Sequence, residues 1–295
     1  MGDFDPARGG GFCPANGAIV LCLTSPPYPL TKPRSYGNVS EQQFVDWFCK
    51  TIEPVVKNLV RGGSLAVNLS NDVFLPGLPA RSLYRERLVL ALCERFGLYK
   101  IDEIPWINES KPPGPVAWAS KERFLMNVAW EPVYWFSNSP LHLHSDNRRI
   151  LKEHTERHLA LIRNGGESRT HIASDGAYSV RPGSYASDTP GAIQRNVLHF
   201  GHACADQRAY RRGARALGLP AHGAPMPLAL AKLFVEFLTK PGDLVCDPFA
   251  GSQTTGKAAE LLGRRWLSTE VMLEYVMGAA TRFTSANGFR MHLAN

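Results

Sequence analysis

Apolar residues fall along this chain in short unbroken runs and in helical repeats, and the two patterns take turns. Ala18 to Leu23 is an apolar run bounded by Asn16-Gly17 and by Ser25-Pro26-Pro27, which predicts a buried strand with an abrupt end. Ser40 followed by Gln43 resembles a capping box, and Phe44, Trp47, Phe48 and Ile52 then repeat at helical spacing until Gly62-Gly63. Ser64 to Leu69 reads as a second buried strand, Arg81 to Arg95 as an amphipathic helix stopped at Gly97, and Val128 to Phe136 as a strand. Near the other end come a helix over Leu228 to Leu238, a strand over Asp243 to Cys246 and a helix over Thr254 to Leu262. A strand over Arg265 to Thr269 and a helix over Leu273 to Phe283 complete the series. Strand alternating with helix predicts an α/β fold, a doubly wound and mostly parallel sheet covered on both faces.

Between these blocks, from about His142 to Ala221, aromatic residues thin out while Gly, Ser, Asn and Arg accumulate. Asn164 to Gly191 reads as a long mobile loop. Leu141 to Pro220 holds 12 Arg and Lys against 7 Asp and Glu, so most of the net charge of +7 sits there. The expected division is therefore a first catalytic part over residues 1–141, a basic insert over 142–221 and a second part over 222–295.

With 295 residues, 44% of them hydrophobic, the chain has enough apolar surface for a packed core, which excludes a mostly disordered protein. No apolar run reaches the roughly 18–20 residues that span a bilayer, so no membrane partner is expected. Six scattered cysteines with no CxxC pair fit reduced thiols in a cytoplasm and exclude a disulfide framework. An excess of basic residues suits a polyanionic partner.

Two segments carry chemistry. In Asp247-Pro248-Phe249-Ala250-Gly251-Ser252-Gln253-Thr254-Thr255-Gly256, small residues between a strand and a helix let the backbone approach a ligand, and the free N–H groups of the helix start attract polar groups. Glu270 ends the next strand, where a carboxylate in a nucleotide-binding unit accepts hydrogen bonds from ribose hydroxyls. Gly251 to Lys257 also spells G-x-x-x-x-G-K, but the next residue is Ala258, which lacks the hydroxyl that holds magnesium in a P-loop. The other segment is Thr24-Ser25-Pro26-Pro27-Tyr28, directly after the first strand. Its two prolines remove N–H donors and leave carbonyl oxygens as acceptors, Ser25 adds another oxygen and Tyr28 a flat ring. Such a set suits an amino group on a planar heterocycle.

Taken together, the segments resemble the β-class amino DNA methyltransferases that use S-adenosylmethionine, within them the SPPY group that methylates cytosine at N4. The likeness rests on TSPPY at 24–28, YGN at 36–38, VDWF at 45–48, GGSLAVNLS at 62–70, PARS at 79–82, WEPVYWFS at 130–137 and PGDLVCDPFAGSQTTG at 241–256. It implies that Ser25, Pro26, Pro27 and Tyr28 act on the base. It also implies that Asp247, Phe249, Ala250, Gly251, Ser252 and Thr254 line the cofactor pocket and that Glu270 binds its ribose. His222 to Leu230 is similar to the family's other cofactor stretch, with His222, Ala224, Pro227 and Leu230 matching. Gln253 stands where the family more often has Gly, and Gly223 and Met226 replace Pro and Phe. The family's Asp near the cofactor adenine would fall at Asp3, without the strand that usually precedes it.

The resemblance implies double-stranded DNA as partner, with the target base flipped out. A cognate restriction endonuclease and a homodimer are further partners it allows, and its setting is a bacterial or archaeal cytoplasm. Arg148, Arg149, Arg208, Arg211, Arg212 and Arg215, in the basic segment, are expected at DNA phosphates and guanine edges. N6-adenine methylation by the same fold is the nearest alternative, and a catalytically silent DNA-binding module the rival from another class. His154 with His158, and His199 with His202 and Cys204, have metal-like spacing but lack a clear full ligand set, so no metal is expected.

Overall fold

A computed structural model describes residues 17–30, 34–37, 39–108, 111, 114–202 and 204–286. Asp3 and Asn38, singled out above, lie outside the described residues. In chain order the elements are β1 (Ile19–Thr24), α1 (Glu41–Lys57), β2 (Leu59–Asn68), α2 (Tyr84–Phe96), β3 (Tyr99–Ile107) and β4 (Trp130–Ser137). Then come α3 (Glu156–Arg163), β5 (His171–Ile172), β6 (Ser179–Val180), β7 (Leu198–His199), α4 (Ala205–Ala216) and α5 (Leu228–Leu238). The last four are β8 (Leu244–Asp247), α6 (Thr254–Leu261), β9 (Arg265–Ser268) and α7 (Leu273–Ala280).

Among the described residues, seven strands form one sheet in the order β7-β3-β4-β2-β1-β8-β9. β4 runs antiparallel to both of its neighbours, and the other pairings are parallel. Alternate residues of a strand face opposite sides, and here both sides are apolar. Cys22, Leu65, Val67, Tyr134 and Phe136 pack on one face with Phe44, Phe48 and Ile52 of α1 and Tyr84, Leu88 and Leu92 of α2. Leu21, Leu23, Ala66, Val133 and Trp135 pack on the other with Leu230, Phe234 and Leu238 of α5 and Ala258 and Ala259 of α6. This is the doubly wound, Rossmann-like layering expected from the alternating pattern.

Several boundaries differ from the sequence reading, each for a local reason. Ser40 does precede α1, but its hydroxyl bonds the Gln43 side chain at 3.1 Å, and no side-chain bond caps the helix backbone. α1 stops at Lys57 and not at Gly62-Gly63, because Asn58 turns the chain and its Nδ2 donates back to Pro54 O at 2.8 Å. The two glycines lie inside β2, where Gly62 has φ +77° and any Cβ would collide with the carbonyl of His142. β3 was not foreseen: Lys100, Asp102, Glu103 and Pro105 hide it from an apolar pattern. Asn164 to Gly191, read as a loop, carries the β5–β6 hairpin.

The chain forms two compact units, 146–195 and the remainder. Within the smaller, Lys152 bridges Ala192, and the His154 ring lies 4.6 Å from that of His158. Residues 196–221 go with the larger unit, where β7 extends the sheet beside β3 and α4 packs on α7.

Candidate active site

The order of the sheet reverses between β1 and β8, and both strands end there in a loop that carries a motif. In such sheets ligands bind outside the carboxyl ends at that crevice. Thr24 Oγ1, at the end of β1, donates to Asp247 Oδ1, at the end of β8, at 2.7 Å. The same Oδ1 accepts from Phe249 N at 3.1 Å, so Asp247 ties two loops together from a position 5% exposed. Burial pushes its carboxyl up to about 6, against the opposing effect of the Thr24 hydroxyl.

After Thr24 the chain enters Ser25-Pro26-Pro27-Tyr28, where Ser25 Oγ and Tyr28 OH lie 2.8 Å apart. Both reach Asn68 Oδ1 at the end of β2, Tyr28 OH at 2.9 Å and Ser25 Oγ at 3.3 Å. Asn68 is 2% exposed, and its Nδ2 donates to Pro132 O at 3.2 Å, which fixes the amide with its oxygen toward the two hydroxyls. Burial, reinforced by Glu131, drives the Tyr28 phenol well above its ordinary range, so it remains a neutral donor.

Beside this triangle is the glycine loop, residues 248–254. Phe249 anchors it by packing against Trp47 and Phe48 of α1, with ring centroids 5.4 and 6.1 Å away. Gly251 N donates to Glu270 Oε2 at 2.7 Å, and Met272 N to Glu270 Oε1 at 2.9 Å. Gly251 has φ +50°, and a Cβ there would lie 3.1 Å from His222 Nε2, so only glycine lets the imidazole sit on the loop. Tyr36 stacks on that imidazole at 5.7 Å, and Tyr275 meets it edge-on at 5.1 Å. Burial, with Arg34 and Arg211 nearby, lowers His222 to about 4, and its buried Nδ1 has no hydrogen-bond partner among the described residues.

A family model described as DNA methylase matches residues 19–281. The type II methyltransferase M.PvuII of Proteus hauseri is 33% identical over 270 residues, 92% of this chain and 79% of its own length. The chain belongs to the DNA methylase family. A solved PvuII DNA methyltransferase, cytosine-N4-specific, superposes on this methylase with a TM-score of 0.70 at 30% identity, covering 92% of this chain and 82% of that one. M1.MboII of Moraxella bovis is 24% identical over 88% of this chain and 87% of its own. A DNA modification methylase of Thermus thermophilus, solved with S-adenosyl-L-methionine, shares the fold at 20% identity, with a TM-score of 0.54 over 93% of this chain and 89% of that one.

The methylase thus brings Ser25, Pro26, Pro27, Tyr28, Asp247, Phe249, Ala250, Gly251, Ser252, Thr254, Glu270 and His222 together around the carboxyl ends of β1 and β8. Ala224 lies exposed on the strip before α5, which Gln207 of α4 holds by its Nε2 bonds to Pro225 O and Met226 O at 3.0 and 3.2 Å. Lys257, the lysine of the P-loop-like spelling, donates to Arg282 O at 2.9 Å and not to an open cradle. Arg148 is bound through two nitrogens to Asp146 at 2.9 Å, and Arg149 lies 3.9 Å from the same carboxylate. Arg208 and Arg212 are exposed on α4, while Arg211 is half-buried near His202 and His222, and its charge lowers both.

Three features escaped the sequence reading: Asn68 beneath the tetrapeptide, the Tyr36–Tyr275 flanks of His222, and Arg282. Arg282 is 4% exposed, forms an ion pair with Asp206, and donates through Nη1 to Ser252 O at 2.5 Å.

Proposed function

We propose that this protein transfers a methyl group from S-adenosylmethionine to the exocyclic N4 amine of a flipped-out cytosine in double-stranded DNA, as a site-specific type II enzyme of a bacterial or archaeal cytoplasm. The observation that carries the reading is the triangle of Ser25, Tyr28 and Asn68 set next to the glycine loop across the Thr24–Asp247 bond. Cytosine rather than adenine follows from Ser25 at the head of the tetrapeptide and from the specificity of the PvuII relative.

The donor set fits the cofactor: a carboxylate at Glu270 for ribose hydroxyls, a loop that only glycine permits at Gly251, and a neutral imidazole at His222 with an unused nitrogen. An uncharged His222 spares a cationic ligand repulsion at neutral pH. S-adenosylmethionine supplies an electrophilic methyl on its sulfonium.

The remaining chemistry belongs to the chain. A cytosine N4 lone pair is delocalised into the ring, so the amine is a poor nucleophile until its hydrogens are held out of the ring plane. Tyr28 OH donates to Asn68 Oδ1, and the Ser25 proton turns to Asn68 Oδ1 or to Tyr28 OH. Either way the Ser25 proton points inward, leaving an oxygen lone pair for one amine hydrogen, and the Pro26 carbonyl accepts the other. The Tyr28 ring, tied down through its hydroxyl, stacks on the base. Catalysis is by position and by fixed dipoles. Phosphates of the duplex meet Arg208, Arg211 and Arg212 of α4, and within the smaller unit Arg148 and Arg149 serve the same purpose. A cognate restriction endonuclease is the partner expected of a type II enzyme, and a homodimer is a further one.

Incubating the protein with duplex DNA and S-adenosylmethionine labelled in the methyl group should place label in the DNA, and Ser25→Ala should slow its initial incorporation at least about tenfold. Absence of label with the wild-type chain contradicts the proposal.

A further inference from the structure

Helix α4 presents two faces of opposite character. One is packed on the parts that frame the glycine loop. Tyr210 OH accepts from His222 N at 2.9 Å, and Gln207 holds the carbonyls of Pro225 and Met226. Gly213 and Ala214 lie against the end of α7 so closely that a Cβ on Gly213 would come within 2.8 Å of Thr281 Oγ1. Asp206 pairs with Arg282, whose guanidinium lies 5.5 Å from the Tyr210 ring and bonds both Ser252 O at 2.5 Å and Thr254 Oγ1 at 3.3 Å. A charge this deeply buried is costly unless paired, so the position of Arg282, and with it the glycine loop, depends on α4 holding Asp206 in place.

The other face carries Arg208, Arg212 and Arg215, spaced four and three residues apart on one side of the helix. All three are exposed, and none forms an ion pair among the described residues. Such a row offers charge to a polyanion, and the partner whose chemistry fits is the phosphate backbone of a duplex.

We propose that α4 is a strut through which backbone phosphates on Arg208, Arg212 and Arg215 and the cofactor on the glycine loop favour each other's binding, with Arg282 as the positioning residue between them. The inference rests on the function proposed above and adds to it a route between the two ligands. Each ligand steadies the same chain of contacts, from α4 through Asp206 and Arg282 to Ser252 and Thr254. Order imposed by the first ligand need not be imposed again by the second, and the coupling is reciprocal.

The test is the affinity for sinefungin, an analogue of S-adenosylmethionine that cannot donate a methyl group, measured calorimetrically with and without saturating sheared duplex DNA. In the wild-type protein DNA should tighten sinefungin binding about fivefold or more. In Arg208→Ala/Arg212→Ala/Arg215→Ala, a surface change that leaves the core alone, DNA-free affinity should stay and the tightening disappear. In Asp206→Asn, checked for folding by circular dichroism, DNA should still bind while the tightening is lost. Wild-type protein that binds each ligand with no tightening overturns the strut alone, as does full tightening in either variant. Wild-type protein that binds neither ligand overturns the proposed function, and the strut falls with it.

Discussion

Thr24 and Asp247, 223 residues apart in sequence, share a buried hydrogen bond of 2.7 Å that joins the two central strands where the sheet reverses. Because Asp247 Oδ1 also accepts from Phe249 N, one carboxylate oxygen sets the spacing between the Ser25–Tyr28 tetrapeptide and the glycine loop. Asp247→Ala leaves the Thr24 hydroxyl and the Phe249 amide without a buried acceptor, a loss of about 1–3 kcal/mol for each unmade bond. Affinity for S-adenosylmethionine should fall at least about tenfold by calorimetric titration. Asp247→Asn, which can still present an oxygen, should lose less.

In the proposed division of roles Ser25 and Tyr28 act on the base, Asn68 orients their hydroxyls, and none of the three acts on the adenosine. Ser25→Ala, Tyr28→Phe and Asn68→Ala should therefore lower single-turnover rates by about tenfold to a thousandfold, the range of a lost positioning or polarising group, while cofactor affinity changes little. Tyr28→Phe keeps the ring and should be the mildest. Parallel loss of cofactor binding and rate in Ser25→Ala would contradict this division.

The tetrapeptide and the glycine loop were legible in sequence because each follows an apolar run, and that run ends where its strand ends. Glu270 was legible from its place just after a strand and about twenty residues beyond the glycine loop, although β9 itself ends two residues earlier, at Ser268. Asn68 was not, although its strand was expected, since its role depends on hydroxyls 40 and 43 residues away that no local pattern links to it. Arg282 was hidden more deeply: its acidic partner is 76 residues earlier, on a helix whose arginines had drawn attention for another reason. β3 was missed because its edge-side charges break the apolar run. The end of α1 was misplaced because paired glycines usually stop a helix, whereas here Gly62 lets β2 pass His142.

Gln253 occupies the left-handed region, at φ 61° and ψ 36°, which accounts for the glycine more common there in the family. Its side chain compensates by accepting from Ser268 Oγ at 2.5 Å. Gln253→Gly should leave the melting temperature nearly unchanged, since about 1 kcal/mol of backbone relief offsets a bond of similar worth. Gln253→Ala keeps the strained backbone without the bond and should melt about 2–4 °C lower by calorimetry.

His222 is held near pKa 4 by burial, below the ordinary 6.5, so the unfolded chain binds a proton more readily than the folded one between those values. Its contribution to stability is therefore full above pH 6.5 and is lost as pH falls toward 4. Denaturant unfolding should show wild type losing about 2–3 kcal/mol more than His222→Gln between about pH 6.5 and pH 4.5. Asp247, raised to about 6, acts in the opposite sense over that range, but it is common to both proteins and cancels in the difference.

In the proposed reaction the Ser25 site methylates the N4 amine of cytosine. Mass spectrometry of nucleosides from duplex DNA treated with the purified protein and S-adenosylmethionine shows which amine carries the methyl group. N4-methylcytosine should appear in the wild-type digest and be at least about tenfold scarcer in that of Ser25→Ala sampled at the same early time. N6-methyladenine in its place would assign the same fold to adenine, and unmodified nucleosides would contradict the enzymatic reading altogether.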